Sequence, residues 1–497
     1  MCIPNFLTPF HMFGQVFMAV EVPHYCNTNW IDAIDSNLTE KEKLNLTIPK
    51  HADGSYEECR MYTPVSEDID SIRDYGINST ENCKEGWVYP TDPKPTLLTE
   101  FNLVCDRKDL NDFGQSIYMG GLLAGALVFG PISDRIGSRN MILLTMLIMG
   151  SFGVGTAFSP NYYVYIALRF LVGSSFAGAS NVTVSEWVGP SYRHLAQIIT
   201  HLANALGQMA IAGLGYGLRN WRWLQIAGSA PMFLLFFYIW VLPQSARWLV
   251  TKGRTEEAKN LLRKAASVNK RTVPEEMLDQ LAAEKKVKSG NILDLARKPH
   301  LRKMTLVMLW VWFVDSMVYY GLSLHVGDFG VDIYLTQLIF GAVELPSRFS
   351  CIFLLEWIGR KKCQALWLLL GGVMCLIIPI IPKGWPVAVT VLAVIGKSAL
   401  AASFTTSYVY SAELFPTVVR QTSLGLCSMA TRVAGIISPL IGLLDKYHPA
   451  VPMVIFGTTA VIGGLLCFLL PEMRGKELQD GTGNDSQVRG DSVSTFF

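Results

Sequence analysis

Arg432 stands in the middle of the otherwise apolar run 421–443 (QTSLGLCSMATRVAGIISPLIGL), with no carboxylate within four positions on either side. A cation near the centre of a bilayer costs at least ~2.5 kcal/mol on insertion scales, so it is expected to face a polar cavity, a partner on another helix or an anionic ligand. Asp315, Glu344, Arg348 and Lys397 also fall inside apolar spans of the second half of the chain, which makes three cations against two carboxylates there. Glu344 and Arg348 are four apart, so an intrahelical salt bridge is one reading of that pair, with Pro346 distorting the turn between them. Arg432 and Lys397 have no such local partner, and Asp315 reaching one of them across a bundle is the alternative. Complete pairing would still leave one positive charge over. A guanidinium engages a carboxylate through two parallel hydrogen bonds, whereas Lys397 would act as a less directional charge. The expected chemistry is recognition of an anion such as a carboxylate.

Aromatic residues recur on the same spans. Trp312, Phe313, Tyr319 and Tyr320 lie on the seventh, Phe404, Tyr408 and Tyr410 on the tenth, and Tyr216 ends the fifth. Their flat faces would stack on planar rings such as a pyridine or purine; packing or a place at the membrane interface is the alternative. On the first span His11 and Gln15 would add hydrogen bonds to a ligand, or serve helix packing.

The elements that must position these groups follow from composition. Half of the 497 residues are hydrophobic and 16% are charged, which is too apolar for a soluble chain of this length. Segments long enough to cross ~30 Å of hydrocarbon recur. They lie near 3–21, 113–133, 141–158, 162–184, 195–217, 224–242, 303–325, 331–355, 364–381, 386–411, 421–443 and 450–470. Twelve spans place both termini on one side. Residues 245–303 hold fifteen Lys/Arg against seven Asp/Glu, and DRIGSR (134–139) and GRKK (359–362) add to the same side, which reads as cytoplasmic.

The organisation expected is a first helix (1–21), an extracellular loop (22–112), helices two to six (113–244), a cytoplasmic linker (245–302), helices seven to twelve (303–471) and a cytoplasmic tail (472–497). The first span starts at the initiator methionine with no lead-in, and reads as a truncated helix of a shortened isoform. The loop is acidic, with nine Lys/Arg against eighteen Asp/Glu, and carries sequons at Asn37, Asn45 and Asn78. Cys26, Cys59, Cys83 and Cys105 form an even set there, so two disulfides are expected, in any of three connectivities. Residues 253–288 read as short amphipathic helices. The polar tail ends in Ser494-Thr495-Phe496-Phe497, which would add as a strand to a PDZ domain.

An internal repeat supplies the architecture. Asp134 and Gly137 correspond to Glu356 and Gly359 at an offset of 222, Glu186 and Arg193 to Glu413 and Arg420 at 227, and Pro243 to Pro471 at 228. Two similar six-helix halves are implied, with a ligand site at their interface and access alternating as one half rocks on the other. Asp134, Arg135, Gly137 and Arg139, with Glu356, Gly359 and Arg360 in the second copy, read as a latch at the basic end. There the glycines allow tight turns and the acids release helix ends in one state. Glu186, Arg193, Glu413 and Arg420 would make matching contacts; ordinary positive-inside anchoring is the alternative.

At these residues the chain resembles a known family. GPISDRIGSR with its second copy LLEWIGRKK, RFLVGSSFAG (169–178), PQSARWL and PEMRGKEL are similar to signatures of the major facilitator superfamily, and within it of solute carrier family 22. The four-cysteine loop followed by EFNLVCDRKDL matches the same family. FHMFGQVFM, SEWVGPSYR, GLSLHVGDFG, YLTQLIFGAVELPSR and SYVYSAELFP resemble most closely the organic anion branch and its exchangers of urate and nicotinate. The resemblance runs over nearly the whole chain. It implies an all-α membrane protein with twelve transmembrane helices in two pseudo-symmetric halves. It also implies a basic residue at Arg348, arginine at Arg432 where cation transporters carry an acid, and a cavity lined by Tyr216, Trp312, Tyr319, Tyr320, Phe404 and Tyr408.

No clustered metal-ligand pattern, Gly-rich phosphate loop or nucleophile motif is present, and no cofactor or nucleic-acid partner is expected. The reading is a plasma-membrane exchanger of organic anions, apical in an epithelium, driven by a counter-anion or a proton, with Asp315 as the proton-sensitive candidate. An organic cation or zwitterion carrier of the same fold, and a non-transporting receptor or scaffold, are the rival readings.

Overall fold

A computed structural model describes residues 2–51, 54–66, 68–90, 95–180, 193–237, 243–274, 292–325, 331–382 and 384–474. Two compact units divide the chain: 1–17 with 112–218 and 222–497 in one, 18–111 with 219–221 in the other.

The larger unit is a helical bundle. Its first half contains α1 (Cys2–Met12), α2 (Asp109–Ile136), α3 (Ser138–Thr156), α4 (Tyr162–Ser180), α5 (Arg193–Gly217) and α6 (Trp221–Ser229). The second half contains α7 (Pro299–Leu324), α8 (Ile333–Trp357), α9 (Arg360–Ile377), α10 (Pro386–Leu414), α11 (Thr417–Gly442) and α12 (Ala450–Cys467). Among the described residues nine helices are long and apolar enough to cross a membrane.

Two spans depart from the continuous helices expected. The first breaks after Met12 and resumes as the short helix Gly14–Met18. Pro9 within it cannot donate to the carbonyl one turn back, and the Thr8 hydroxyl takes that carbonyl, Asn5 O, at 2.9 Å. The sixth, expected over 224–242, is in pieces, because Pro231 starts a new short helix (Pro231–Leu234) that tightens into the 3-10 turn Leu235–Phe237. Its last residues, 238–242, lie outside the described residues. In the linker, helices occupy Ala246–Thr251, Thr255–Val268 and Ile292–Arg297. The remainder of the expected amphipathic stretch, and the tail with its PDZ-type terminus, also lie outside them.

Small residues let the helices approach closely, as association in lipid requires. A Cβ on Gly125 of α2 would collide with the Ser174 carbonyl of α4, and one on Gly173 of α4 with the Tyr118 carbonyl of α2. Between α9 and α12, Cβ atoms on Gly372 and Gly457 would lie 2.9 and 2.8 Å from each other's carbonyl oxygen.

The smaller unit is held by two disulfides, Cys26–Cys83 and Cys59–Cys105, one of the three connectivities open from sequence. Strands β1 (Tyr25–Cys26) and β4 (Trp87–Val88) pair antiparallel, as do β2 (Arg60–Tyr62) and β3 (Thr80–Asn82). Cys26, Ile48 and Met61 form its core. Helix Glu40–Thr47 starts in a capping box with Thr39 and Glu42, and the Thr39 hydroxyl and backbone hydrogen bonds hold the Glu42 carboxyl below its ordinary range. Asn37, Asn45 and Asn78 are all exposed.

Candidate functional site

The charged residues of the second half converge on Glu344. Helix α8 carries Glu344 and Arg348 on one face, and the helix runs through Pro346 without ending. Arg348 Nη2 lies 3.0 Å from Glu344 Oε2, and Lys397 Nζ of α10 lies 3.3 Å from Oε1. The Tyr319 hydroxyl of α7 donates to the same Oε1 at 2.7 Å. Gln208 Nε2, from α5 of the first half, donates to Glu344 Oε1 at 3.3 Å and to the Tyr319 hydroxyl at 2.9 Å. Arg348 also donates to Thr405 at 2.8 Å, and Lys397 donates to the Ser323 hydroxyl and lies over the Tyr319 ring at 3.9 Å. Glu344 and Lys397 are fully buried and Arg348 is 3% exposed, so one acid serves two dry cations.

Lys397 has no acid partner on its own helix and finds Glu344 across the bundle, where Asp315 was the alternative considered. Asp315 neutralises neither Lys397 nor Arg432: it accepts from Ser403 at 2.5 Å, Ser407 at 2.6 Å and Gln364 at 3.5 Å. Hydroxyl and amide donors from α9 and α10 satisfy its carboxylate without a cation.

Arg432 behaves differently from Arg348. It is half-buried, and its Nη1 donates to the Leu122 carbonyl of α2 at 3.0 Å. No carboxylate among the described residues pairs with it within the 4.0 Å of a salt bridge. Tyr320 and Tyr408 are its electrostatic neighbours.

Five of the six aromatics expected to line a cavity form one contiguous group. Ring centroids lie 4.4 Å apart for Trp312 and Tyr408, 5.6 Å for Phe404 and Tyr408, 6.3 Å for Tyr319 and Phe404, and 5.4 Å for Tyr319 and Tyr320. Trp312 is anchored by donating to Ser411 at 2.9 Å and is buried with Tyr319, whereas Tyr320, Phe404 and Tyr408 keep partial exposure. Tyr216 is not among them. It is 63% exposed and meets Tyr334 edge-on at 5.8 Å, with Phe17 stacked on the same Tyr334 at 5.3 Å.

His11 and Gln15 serve a cation that sequence reasoning missed. Arg169 of α4, fully buried, donates to the His11 carbonyl at 2.8 Å, to Gln15 Oε1 at 3.2 Å and to Gln115 Oε1 at 3.4 Å, and lies over the Tyr118 ring at 4.4 Å. The signal was available: Arg169 opens RFLVGSSFAG and stands 228 positions before Lys397, the offset that relates Pro243 to Pro471.

At the basic end, Arg360 forks onto Glu413 with bonds of 2.8 and 3.1 Å, a bidentate pair within the second half. Gly359 at φ +97° and Gly137 at φ +88° turn the chain into α9 and α3. The following helix starts are capped by residues not singled out from sequence. Glu472 accepts from the Arg360 and Lys361 amides at 2.9 and 3.2 Å, and Gln244 accepts from the Arg139 amide at 3.0 Å. Both follow the repeated prolines Pro471 and Pro243 directly. Arg135 and Glu356 are exposed, and Arg420 donates to the Phe415 carbonyl at 3.2 Å. Glu186 and the side chains of Asp134 and Arg193 lie outside the described residues.

The family model "Sugar (and other) transporter" matches residues 79–482. Solute carrier family 22 member 13 of Homo sapiens is 53% identical over 485 residues, covering 97% of this chain and 88% of that protein. Solute carrier family 22 member 6-A of Xenopus laevis is 38% identical over 498 residues, covering 97% and 89%. Among solved structures, the proton:xylose symporter XylE bound to 6-bromo-6-deoxy-D-glucose superposes with a TM-score of 0.60 at 20% identity, over 77% of this chain and 92% of that one. A partially occluded inward-open form of XylE from E. coli gives 0.62 at 19%, over 75% and 90%. That likeness carries the fold, two six-helix halves of the major facilitator type, and the sequence relatives carry the family. The chain belongs to solute carrier family 22, a family of multi-pass membrane transporters.

Proposed function

We propose that this transporter exchanges organic anions, among them urate, nicotinate and related mono- or dicarboxylates, by alternating access of a site between its two halves. The observation that carries the reading is Arg432. It is a partly exposed guanidinium at membrane depth, paired with no carboxylate among the described residues, with Tyr320 and Tyr408 beside it and Phe404 and Trp312 next in line. Such a group gives a carboxylate two directed hydrogen bonds, and the rings give a flat face to a planar cargo. Arg348 and Lys397 contribute one net positive charge around Glu344, which adds to the anionic preference without needing contact with cargo. The rival reading, an organic cation or zwitterion carrier, is disfavoured because Asp315 and Glu344 are both fully buried and already hydrogen-bonded.

The test is counterflow of labelled nicotinate, against a labelled quaternary ammonium compound, in proteoliposomes bearing native protein or Arg432→Ala. Nicotinate counterflow that falls at least ~10-fold in the variant, at equal protein incorporation, fits loss of a charge-assisted contact. Binding without counterflow in the native protein would favour a receptor or scaffold instead. Asp315 is the proton-responsive group of this reading, and an unchanged pH profile of uptake in Asp315→Asn removes it from that role. The reading places the transporter in the plasma membrane, apically in epithelia, with both termini cytoplasmic, a PDZ partner on its terminus, and glycans on Asn37, Asn45 and Asn78. Surface biotinylation and a glycosidase mobility shift check the outer face.

A further inference from the structure

The partly exposed side chains assigned to cargo, Tyr320, Phe404, Tyr408 and Arg432, all belong to the second half. A site at the interface of two repeats draws on both, so the first half must supply part of its wall. Helix α5 carries a polar row at spacings of three and four, His201, Asn204 and Gln208, on one face. Two of the three are committed to protein partners. Gln208 donates to Glu344 and Tyr319, and Asn204 donates to Thr8 of α1 at 3.2 Å.

His201 stands at the end of the row nearest the start of α5. It keeps partial exposure, and its ring centroid lies 5.8 Å from that of Tyr408, across the interface between the halves. Arg348 is its electrostatic neighbour. Tyr408 is in turn an electrostatic neighbour of Arg432 and packs at 4.4 Å on Trp312. One tyrosine ring therefore relates an imidazole of the first half to the guanidinium of the second. The two groups recognise different things. The guanidinium takes a carboxylate by two directed bonds, whereas a neutral imidazole offers a single N–H and a single acceptor nitrogen in either tautomer, which matches a neutral ring heteroatom.

We propose that His201 is a specificity-determining residue of the cargo site, its N–H donating to a ring heteroatom of a planar anion whose carboxylate lies on Arg432. The assignment rests on the organic-anion reading and narrows it: heteroaromatic acids are preferred over carbocyclic acids of the same size and charge.

The experiment compares counterflow of labelled nicotinate with that of labelled benzoate, which has the same shape and charge and no ring nitrogen. Proteoliposomes carry the full chain, native or His201→Phe, at matched incorporation. Native protein is expected to favour nicotinate about fivefold in kcat/KM, the worth of one neutral hydrogen bond, with the difference carried by KM. His201→Phe keeps a flat ring against Tyr408 and has no donor, so the ratio is expected to fall to about one. A preference that persists in His201→Phe overturns the assignment, as does a fall of both acids at constant ratio, which is what a packing residue would give. Native protein that moves both acids without preference also overturns it and leaves the anion reading standing. Native protein that moves neither refutes that reading, and the role of His201 falls with it. If His201→Phe does not incorporate, the same ratio is read from His201→Ala.

Discussion

In the first half of the bundle a buried arginine, Arg169, is held by backbone and amide oxygens over a tyrosine face. In the second half the corresponding Lys397 shares the acid Glu344 with Arg348. The same contrast recurs at the basic end, where neutral Gln244 caps α3 and charged Glu472 caps α9. Two halves of one repeat therefore keep their geometry and differ in where their negative charge comes from. The second half carries its own acids; the first relies on neutral acceptors. Gln208 ties the two together, since this first-half amide donates to the second half's Glu344.

That contrast can be broken. Glu344→Gln strands two buried cations at once and is expected to lower stability by roughly 3 to 5 kcal/mol, the range for removing one partner of a buried pair. Thermal unfolding of purified protein measures it, and a midpoint within a degree or two of native would mean the cations have other support. Gln115→Glu runs the opposite way by placing an acid where Arg169 already finds an oxygen at 3.4 Å. The variant should unfold at a higher temperature than native; a midpoint at or below the native one contradicts the equivalence of the two cages. Glu472→Gln makes the second cap resemble the first. It is expected to cost about 1 kcal/mol, as loss of a helix cap does, and an effect larger than that of Glu344→Gln would reverse the ranking of the two acids.

Much of this architecture is legible in the chain. Hydropathy gives the spans, the offsets near 228 give the repeat, and four cysteines in an acidic loop give two disulfides. What stays hidden depends on helix packing. The Glu344–Lys397 pair joins α8 to α10, and no periodicity within either helix points to it. Arg169 opens RFLVGSSFAG, a stretch with the form of a family signature, and only the 228-residue offset to Lys397 links it to the cations of the second half. Tyr216 belongs with the cavity aromatics by motif alone; it sits at the last turn of α5, edge-on to Tyr334, which Phe17 stacks against. The cysteine pairing, Cys26–Cys83 and Cys59–Cys105, depends on how the loop unit packs, and strands of two and three residues do not announce that in sequence.

Among the cations Arg169, Arg348, Lys397 and Arg432 at membrane depth, Arg348 and Lys397 are held by an acid and Arg169 is enclosed, and Arg432 is the one disposed to meet cargo. Counterflow of labelled nicotinate by Arg432→Ala proteoliposomes, beside native protein at matched incorporation, addresses this directly. The expected result is near-complete loss of exchange with an unchanged unfolding midpoint. Native rates in that variant would show that anionic cargo passes without this guanidinium.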